Sequence, residues 1–470
     1  MFVKKLQNSK VDIELFKNQL GVETELLEQW FVEHLFQPDT FNAGAEIEFL
    51  LLDQHYQLLP KNQMIIDKVN TPGIIAEAGA SQLEINTRVL HRSGSFLSDL
   101  YEDISAKWNK CRVVAEEQGY HLALIGSMPN AATDVIRKDY TTKTPDYDLM
   151  SEFIRKYHGP RPLMINLKGG KEHLALCPES LSLEGLICSF QLHLEISEEM
   201  GADAYNIVQQ ITAPVLALSS NAPFFLGKNV WTESRIGVFE QLYRFPSPWR
   251  QTVFFEQEAM NDSLFSLFKS NLHQFPFLMP EVDLLEPQDH MYHVRRQNSC
   301  IFRWNRPILD FNSQKKPFLR IEHRALSTGP TVVDMVANAA FFYGIVHFYL
   351  QRPHLREKLP SASACKNNFY QAAILGLDAH MHWKNRHVPI SDVLHELIPK
   401  AITGLGDMGI DSHDAKYYLH IIQRRVEKRQ NGAIWQQKFI EQYGKNFSLM
   451  LEHFIANQNL DIPVSDWQME

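Results

Sequence analysis

The sequence predicts an α+β fold, with a sheet drawn from the first two-thirds of the chain and helices dominating the remainder. Two patterns point to it. Four short segments alternate polar and apolar residues with the period of a strand: Gly44-Ala-Glu-Ile-Glu-Phe-Leu-Leu51, Ser81-Gln-Leu-Glu-Ile-Asn86, Phe190-Gln-Leu-His-Leu-Glu-Ile196 and Phe318-Leu-Arg-Ile-Glu-His-Arg324. Beyond residue 330, apolar residues recur mostly at helical spacing. With 470 residues and 44% hydrophobic content, the chain can bury a large core.

Taken in order, residues 11–37 carry Leu15, Phe16, Leu20, Leu26, Leu27, Trp30 and Phe31 at amphipathic-helix spacing, and a first strand follows at 44–52. A helix is predicted over 95–118, then a strand at His121–Ile125 that ends in the turn Gly126-Ser-Met-Pro129. Residues 130–183 are rich in charge, Pro and Gly and read as surface loops of the kind that carry substrate contacts. Lys168-Gly-Gly-Lys171 within them lacks P-loop spacing. A helix is expected at about 203–218 and another at 331–350, where Thr331-Val-Val-Asp334 forms a capping-box variant. Residues 365–458 read as helical. The expected organisation is an N-terminal helical segment (1–40), a catalytic α+β core (41–330) and a helical part of the same unit (331–470).

Composition narrows the function. The net charge of −9 comes without a dense Lys/Arg stripe, and the run Arg424–Arg429 shares its helical pattern with an acid, so nucleic-acid binding is not expected. Five scattered cysteines without CxxC spacing fit reduced, mostly buried thiols. The first residues hold no apolar signal core, and the apolar stretch Met335–Leu350 contains Asn338 and His347 and reads as a buried helix. A soluble, cytoplasmic protein without membrane contact is expected.

The strand faces supply the chemistry. Glu46 and Glu48 share a face, as do Gln191, His193 and Glu195, and Arg320, Glu322 and Arg324. Carboxylates on strands this apolar repel one another and lose hydration unless cations compensate. Hard cations such as Mg²⁺ take oxygen ligands. Glu46, Glu48, Glu84 and Glu322 supply these, Glu77 is a further candidate, and His193 adds one nitrogen tolerated by Mn²⁺ or Mg²⁺. The flanking Arg320 and Arg324 suit a phosphate or carboxylate. Each motif alone has a plainer reading: a solvent-facing Glu-x-Glu edge, a salt-bridge ladder around Glu322, or a satisfied histidine. Together they suggest a metal site and leave the reaction open.

Read in order, the motifs resemble those of the GCS2-type carboxylate–amine ligases, the bacterial glutamate–cysteine ligase family with a glutamine synthetase-like fold. Gly44-Ala-Glu-Ile-Glu-Phe49 is similar to G-x-E-x-E-F, and Glu77-Ala-Gly-Ala-Ser-Gln-Leu-Glu-Ile-Asn-Thr87 to E-x3-S-Q-x-E-x-x-T. Gln191-Leu-His193 is similar to an H-x-H strand. Leu216-Ala-Leu-Ser-Ser-Asn-Ala-Pro-Phe224 with Ser234-Arg235 is similar to L-A-L-S-A-N-S-P-F and a downstream S-x-R. Arg306-Pro307, Arg320-Ile-Glu-His-Arg324, Asn368 and Gly376-Leu-Asp-Ala379 resemble the later elements.

The resemblance implies an antiparallel half-barrel that admits ATP at one end and an amino acid at the other, with Mg²⁺ between them. It assigns Glu46, Glu48, Glu77, Glu84, His193 and Glu322 to metal, and Arg324 to the transferring phosphoryl group. Arg235 and Arg306 become candidates for substrate carboxylate or phosphate, and Arg320 and Asn221, with Arg324, for nucleotide contacts. It implies an acyl-phosphate route to an amide and leaves a homo-oligomer open. The chain departs from the family pattern at Gln191, at Glu195 and at Ala325-Leu-Ser327. A binding protein that lost turnover, and a ligase for another acid or amine, therefore remain alternatives.

Overall fold

The structure, a computed structural model, describes residues 11–36, 41–131, 135 and 140–469. The outer parts of the expected N-terminal segment (1–10, 37–40) and most of 132–139 lie outside the described residues. Among the described residues the main sheet has seven strands: β1 (Ala43–Leu52), β2 (Ile74–Ala76), β3 (Gln82–Asn86), β4 (His121–Ala123), β5 (Ser189–Ile196), β6 (Asn305–Phe311) and β7 (Pro317–Ser327). They run β6-β7-β5-β1-β3-β2, with β4 pairing the end of β1. Every pairing is antiparallel, and the sheet curls into a half-barrel. The four polar-faced segments are thus neighbours, in the order β7-β5-β1-β3.

Alternation decides which face is which. Ile47, Phe49, Leu83, Ile85, Leu192, Leu194, Leu319 and Ile321 are all at most 1% exposed. Their face is covered by helices: Phe49 meets Trp108 of the helix Phe96–Glu117 with ring centroids 5.2 Å apart, and Glu198–Ser219 packs on β7. His323 belongs to this face too. It stacks on Phe342 at 4.6 Å, and burial pushes its pKa down to about 3. Burial of this kind contributes roughly 25 cal/mol per Å² of apolar surface and drives the sheet against its helices.

The helix Val332–Leu350 is the keystone of that packing. It is long and apolar enough to cross a membrane, yet every residue is buried inside the protein. Thr331 caps it by accepting from the Asp334 amide at 3.1 Å, as the capping pattern predicts. Asp334 is neutralised by Arg425 at 2.8 Å, and Asn338 accepts from the same guanidinium at 2.6 Å. The Tyr343 hydroxyl donates to the carbonyls of Gly44 (3.2 Å) and His193 (3.0 Å), tying the helix to the backs of β1 and β5. One turn of backbone contact follows: a Cβ on Gly344 would lie 2.5 Å from the Ala401 carbonyl of the helix Ile390–Asp407.

The structure departs from the sequence expectations at three places. Residues 145–158, expected as loop, form a helix with a Thr144 cap, Pro145 at its first turn, early acids and late basic residues. The helix Glu198–Ser219 begins earlier than expected because Ser197 caps it. The helical C-terminal part is interrupted by a hairpin, His380–Trp383 paired with Arg386–Pro389. All five cysteines are free and four are buried.

Because Gly344 meets backbone rather than a flexible side chain, Gly344→Ala should lower stability by about 1–3 kcal/mol, read as a fall in the thermal or urea midpoint. An unchanged midpoint would show that the two helices can separate freely.

Candidate active site

Two cavities open on the polar face of the sheet, and the same strands line both. The first, about 390 Å³, is lined by Glu48, Gln82, Ser189, Gln191 and Arg324 from the sheet, with Glu77, Tyr147, Glu184 and Arg235 around them. The second, about 580 Å³, is lined by Glu46, Asn86, His193, Glu195 and Arg320, two or four residues further along those strands, with Arg88 and His91 at its rim. Acidic groups stand between the two.

They form two triads. Glu46, His193 and Glu322 offer ligand atoms within 4.8 Å of one another, and so do Glu48, Glu77 and Glu84. Register explains the grouping: Glu322 is opposite His193, and Glu48 is opposite Glu84. Glu77 arrives from the turn after β2. Gly79 there abuts Gly185, so closely that a Cβ on either would lie 2.5 Å from the other's Cα. This contact brings Glu77 and Glu184 to one cavity.

The electrostatics of the triads differ. Burial raises the Glu322 carboxyl, but the guanidinium groups of Arg306 and Arg324 overcome it and hold Glu322 well below the usual range. Arg306 forms a two-pronged pair with it at 2.8 and 2.9 Å, and Arg324 adds a bond at 3.0 Å. At Glu46, burial also pulls upward, and His193 at 3.0 Å reverses the sign. In the second triad nothing does so. Burial and the charge of Glu77 push Glu48 up to about 8, while Glu84 and Glu77 are raised as well, burial being the main cause. Three acids that resist joint ionisation form a site that favours an added cation.

The residues around the triads hold them for such an ion. Glu48 accepts from the Ser189 amide (2.7 Å) and hydroxyl (2.6 Å), and from Gln82 (3.2 Å). Tyr147 donates to Glu77 at 2.8 Å and Asn86 to Glu84 at 2.7 Å. His193 is 8% exposed, and neither ring nitrogen makes a well-aligned hydrogen bond. A buried imidazole set 3.0 Å from one carboxylate and opposite another, without a well-aligned hydrogen bond, fits a metal ligand. Mostly oxygen donors with one nitrogen fit Mg²⁺ or Mn²⁺ better than zinc.

The structure sorts the remaining sequence candidates. Arg324 and Arg235 line the first cavity. Arg235 is buried, donating to the carbonyls of Arg324 and Ala325, which the β-bulge after His323 turns towards it. Arg320 lines the second cavity and is paired with Asp310 at 3.0 Å. Two assignments change. Arg306, taken as a substrate contact, is committed to Glu322 and to the carbonyls of Asn298 and Ser299, so it orients a carboxylate instead. Asn221, taken as a nucleotide contact, is fully buried. Its amide donates to the carbonyls of Leu124 and Thr328 and its oxygen accepts from Gln436 at 2.9 Å, which makes it a clamp between chain segments.

Gln191, in place of a histidine, keeps a donor 3.3 Å from Glu48, so the triad beside it is complete without an imidazole. Glu195 accepts from Asn42 at 2.7 Å at the edge of the second cavity. Ser189, Tyr147, Glu184 and Tyr243 escaped the sequence analysis as site residues. Ser189 alone had a usable signal, since it continues the polar face of β5. Tyr243 donates to Glu184 at 2.6 Å, and burial raises Glu184 to about 7.

Comparison with known proteins assigns the sequence to a family. A model of glutamate–cysteine ligase family 2 matches residues 42–448. No curated protein matches the sequence at a significant level. Among solved structures, the fold is similar to that of a glutamate–cysteine ligase (gshA) from Francisella tularensis in complex with AMP. The TM-score is 0.56 at 12% identity, covering 93% of this chain and 91% of that one. It is also similar to a bifunctional glutathione synthetase from Pasteurella multocida, with a TM-score of 0.57 at 11% identity, over 96% of this chain and 54% of that one. These likenesses establish a shared fold, and the family match runs from β1 through the C-terminal helices. The chain belongs to glutamate–cysteine ligase family 2.

Proposed function

We propose that this protein is an ATP- and Mg²⁺-dependent carboxylate–amine ligase that joins the γ-carboxylate of glutamate to an amine, with cysteine as the default acceptor. The observation that carries this reading is the pair of triads standing between two cavities on one sheet face. Family membership and the AMP held by the Francisella ligase support it.

In this reading Glu46, His193 and Glu322 hold one ion and Glu48, Glu77 and Glu84 hold another, with Mn²⁺ an acceptable substitute. Bound there, the ions would neutralise charge on phosphate oxygens and on the substrate carboxylate. The second cavity, with Arg320 and Arg88 in its lining, takes the nucleotide. The first takes the amino acid and the amine. Arg324, paired with Glu322 yet lining the first cavity, reaches across the boundary and offsets the charge that builds on a transferring phosphoryl group. Arg235, immobilised by backbone carbonyls, orients a substrate carboxylate. Met150, Phe239, Met279 and Phe302 line the same cavity and keep water from an activated acyl phosphate before the amine attacks. A protein that binds nucleotide without turnover is the alternative, and ATP would then raise its melting temperature without yielding ADP.

The test is ADP release with Mg²⁺ across a panel of acids and amines. Release that requires both an acid and an amine is expected, with glutamate and cysteine the leading pair; no stimulation by any pair would refute the ligase reading. Glu48→Gln and Arg324→Ala should each lower turnover by about 10²–10³-fold with the fold intact by circular dichroism. Near-normal turnover in either would break the assignment.

Glu184 gives a pH prediction. Its folded pKa lies above that of the unfolded chain, so its favourable contribution is complete below about pH 4.5 and is lost as pH rises through about 7. Glu184→Gln removes this titration. In metal-free buffer, the stability of the variant relative to the parent should rise between pH 5 and 8, measured by urea unfolding. A difference that is flat with pH would mean that Glu184 ionises freely in the cavity.

A further inference from the structure

The hairpin that interrupts the C-terminal helices carries three histidines outside the half-barrel. His380 and His382 are two apart on the strand His380–Trp383, so they share a face, and His387 lies directly opposite His382 on the strand Arg386–Pro389. All three are exposed, while Met381 and Trp383 on the other face are 0% and 3% exposed. The ring centroids of His380 and His387 are 5.5 Å apart, and those of His382 and His387 are 5.1 Å apart.

We propose that His380, His382 and His387 form a surface site for a borderline divalent transition-metal ion of the Zn²⁺ class. The spacing carries the argument. With metal–nitrogen bonds of about 2.0–2.1 Å and a tetrahedral angle, two imidazoles on one ion have ring centroids roughly 5 Å apart. The two separations that involve His387 are close to that value. The three sets of ring nitrogens do not all converge within 4.8 Å as they stand, so binding requires these exposed side chains to rotate about their own bonds.

The backbone beneath is already fixed. Asn368 donates to the His382 carbonyl at 2.9 Å and accepts from its amide at 2.8 Å, and Trp383 donates to Glu396 at 3.3 Å. The nearby cations do not oppose binding from the histidine face: Arg386 is opposite Trp383, on the other face, and Lys384 is paired with Glu396 at 2.7 Å. Three imidazoles with a fourth position left to water suit Zn²⁺, Ni²⁺ or Cu²⁺ and offer nothing to Mg²⁺, which demands oxygen. The site is therefore chemically separate from the carboxylate triads and does not depend on the ligase reading.

The test is isothermal titration of the full-length, metal-stripped protein with Zn²⁺ in excess Mg²⁺, added to compete for the carboxylate triads. The parent should bind one more equivalent of Zn²⁺ than the triple variant His380→Asn, His382→Asn, His387→Asn. His395→Asn, an exposed histidine elsewhere on the C-terminal helices, should bind as the parent does. All three positions replaced in the triple variant are exposed, so its melting temperature without metal should match the parent. Equal Zn²⁺ binding by parent and triple variant, or no Zn²⁺ binding by the parent under Mg²⁺, would overturn the proposal.

Discussion

The architecture of the site depends on one electrostatic constraint: five carboxylates and one imidazole crowd the polar side of a sheet whose other face is packed against helices and largely apolar. Within 4.8 Å of one another, Glu48, Glu77 and Glu84 cannot all ionise at low cost, and burial pushes each of them up. Glu46 and Glu322 escape that fate because His193, Arg306 and Arg324 stand beside them. One triad is thus charge-compensated by the protein itself, and the other waits for compensation from outside.

This asymmetry orders the rest. The triad held in its charged form lies towards the cavity lined by Arg320 and Arg88, which in the proposed function receives the nucleotide. The triad without compensation lies towards the cavity of Tyr147, Glu184 and Arg235, which in the proposed function receives the acid and the amine. Arg324 belongs to both, through its pair with Glu322 and its place in the wall of the first cavity. The helix Val332–Leu350 matters because it fixes the strands that carry the site from behind. Tyr343 pins the backbone at Gly44 and at His193 from behind, so the strands bearing both triads share one support.

The sheet was legible in the sequence because a half-buried strand writes its faces at period two. Glu46-Ile47-Glu48 and Arg320-Ile321-Glu322 announce both the polar face and the core, and the antiparallel register then brings the announced residues together. The long helix at 332–350 was legible from its cap. What lay beyond reach came from elements whose purpose is set by partners distant in sequence. Glu184 enters the site only because Gly185 fits against Gly79, and neither glycine signals this locally. Asn221 lies in the most family-specific motif, yet its side chain is consumed by Leu124, Thr328 and Gln436, contacts that no local pattern encodes. Arg306 is directly opposite Glu322 across β6 and β7, a neighbour visible only once the strands are paired. The helix 145–158 had its cap, proline and charge signals, but the surrounding Pro and Gly content outweighed them.

The central claim is that both triads are cation sites, one kept ionised by neighbouring cationic groups and the other left for an added cation to compensate. The most direct measurement is the anomalous diffraction of Mn²⁺ in crystals grown with a non-hydrolysable ATP analogue. The account predicts one Mn²⁺ among Glu46, His193 and Glu322 and another among Glu48, Glu77 and Glu84. Manganese absent from both triads, with the analogue bound, would contradict it.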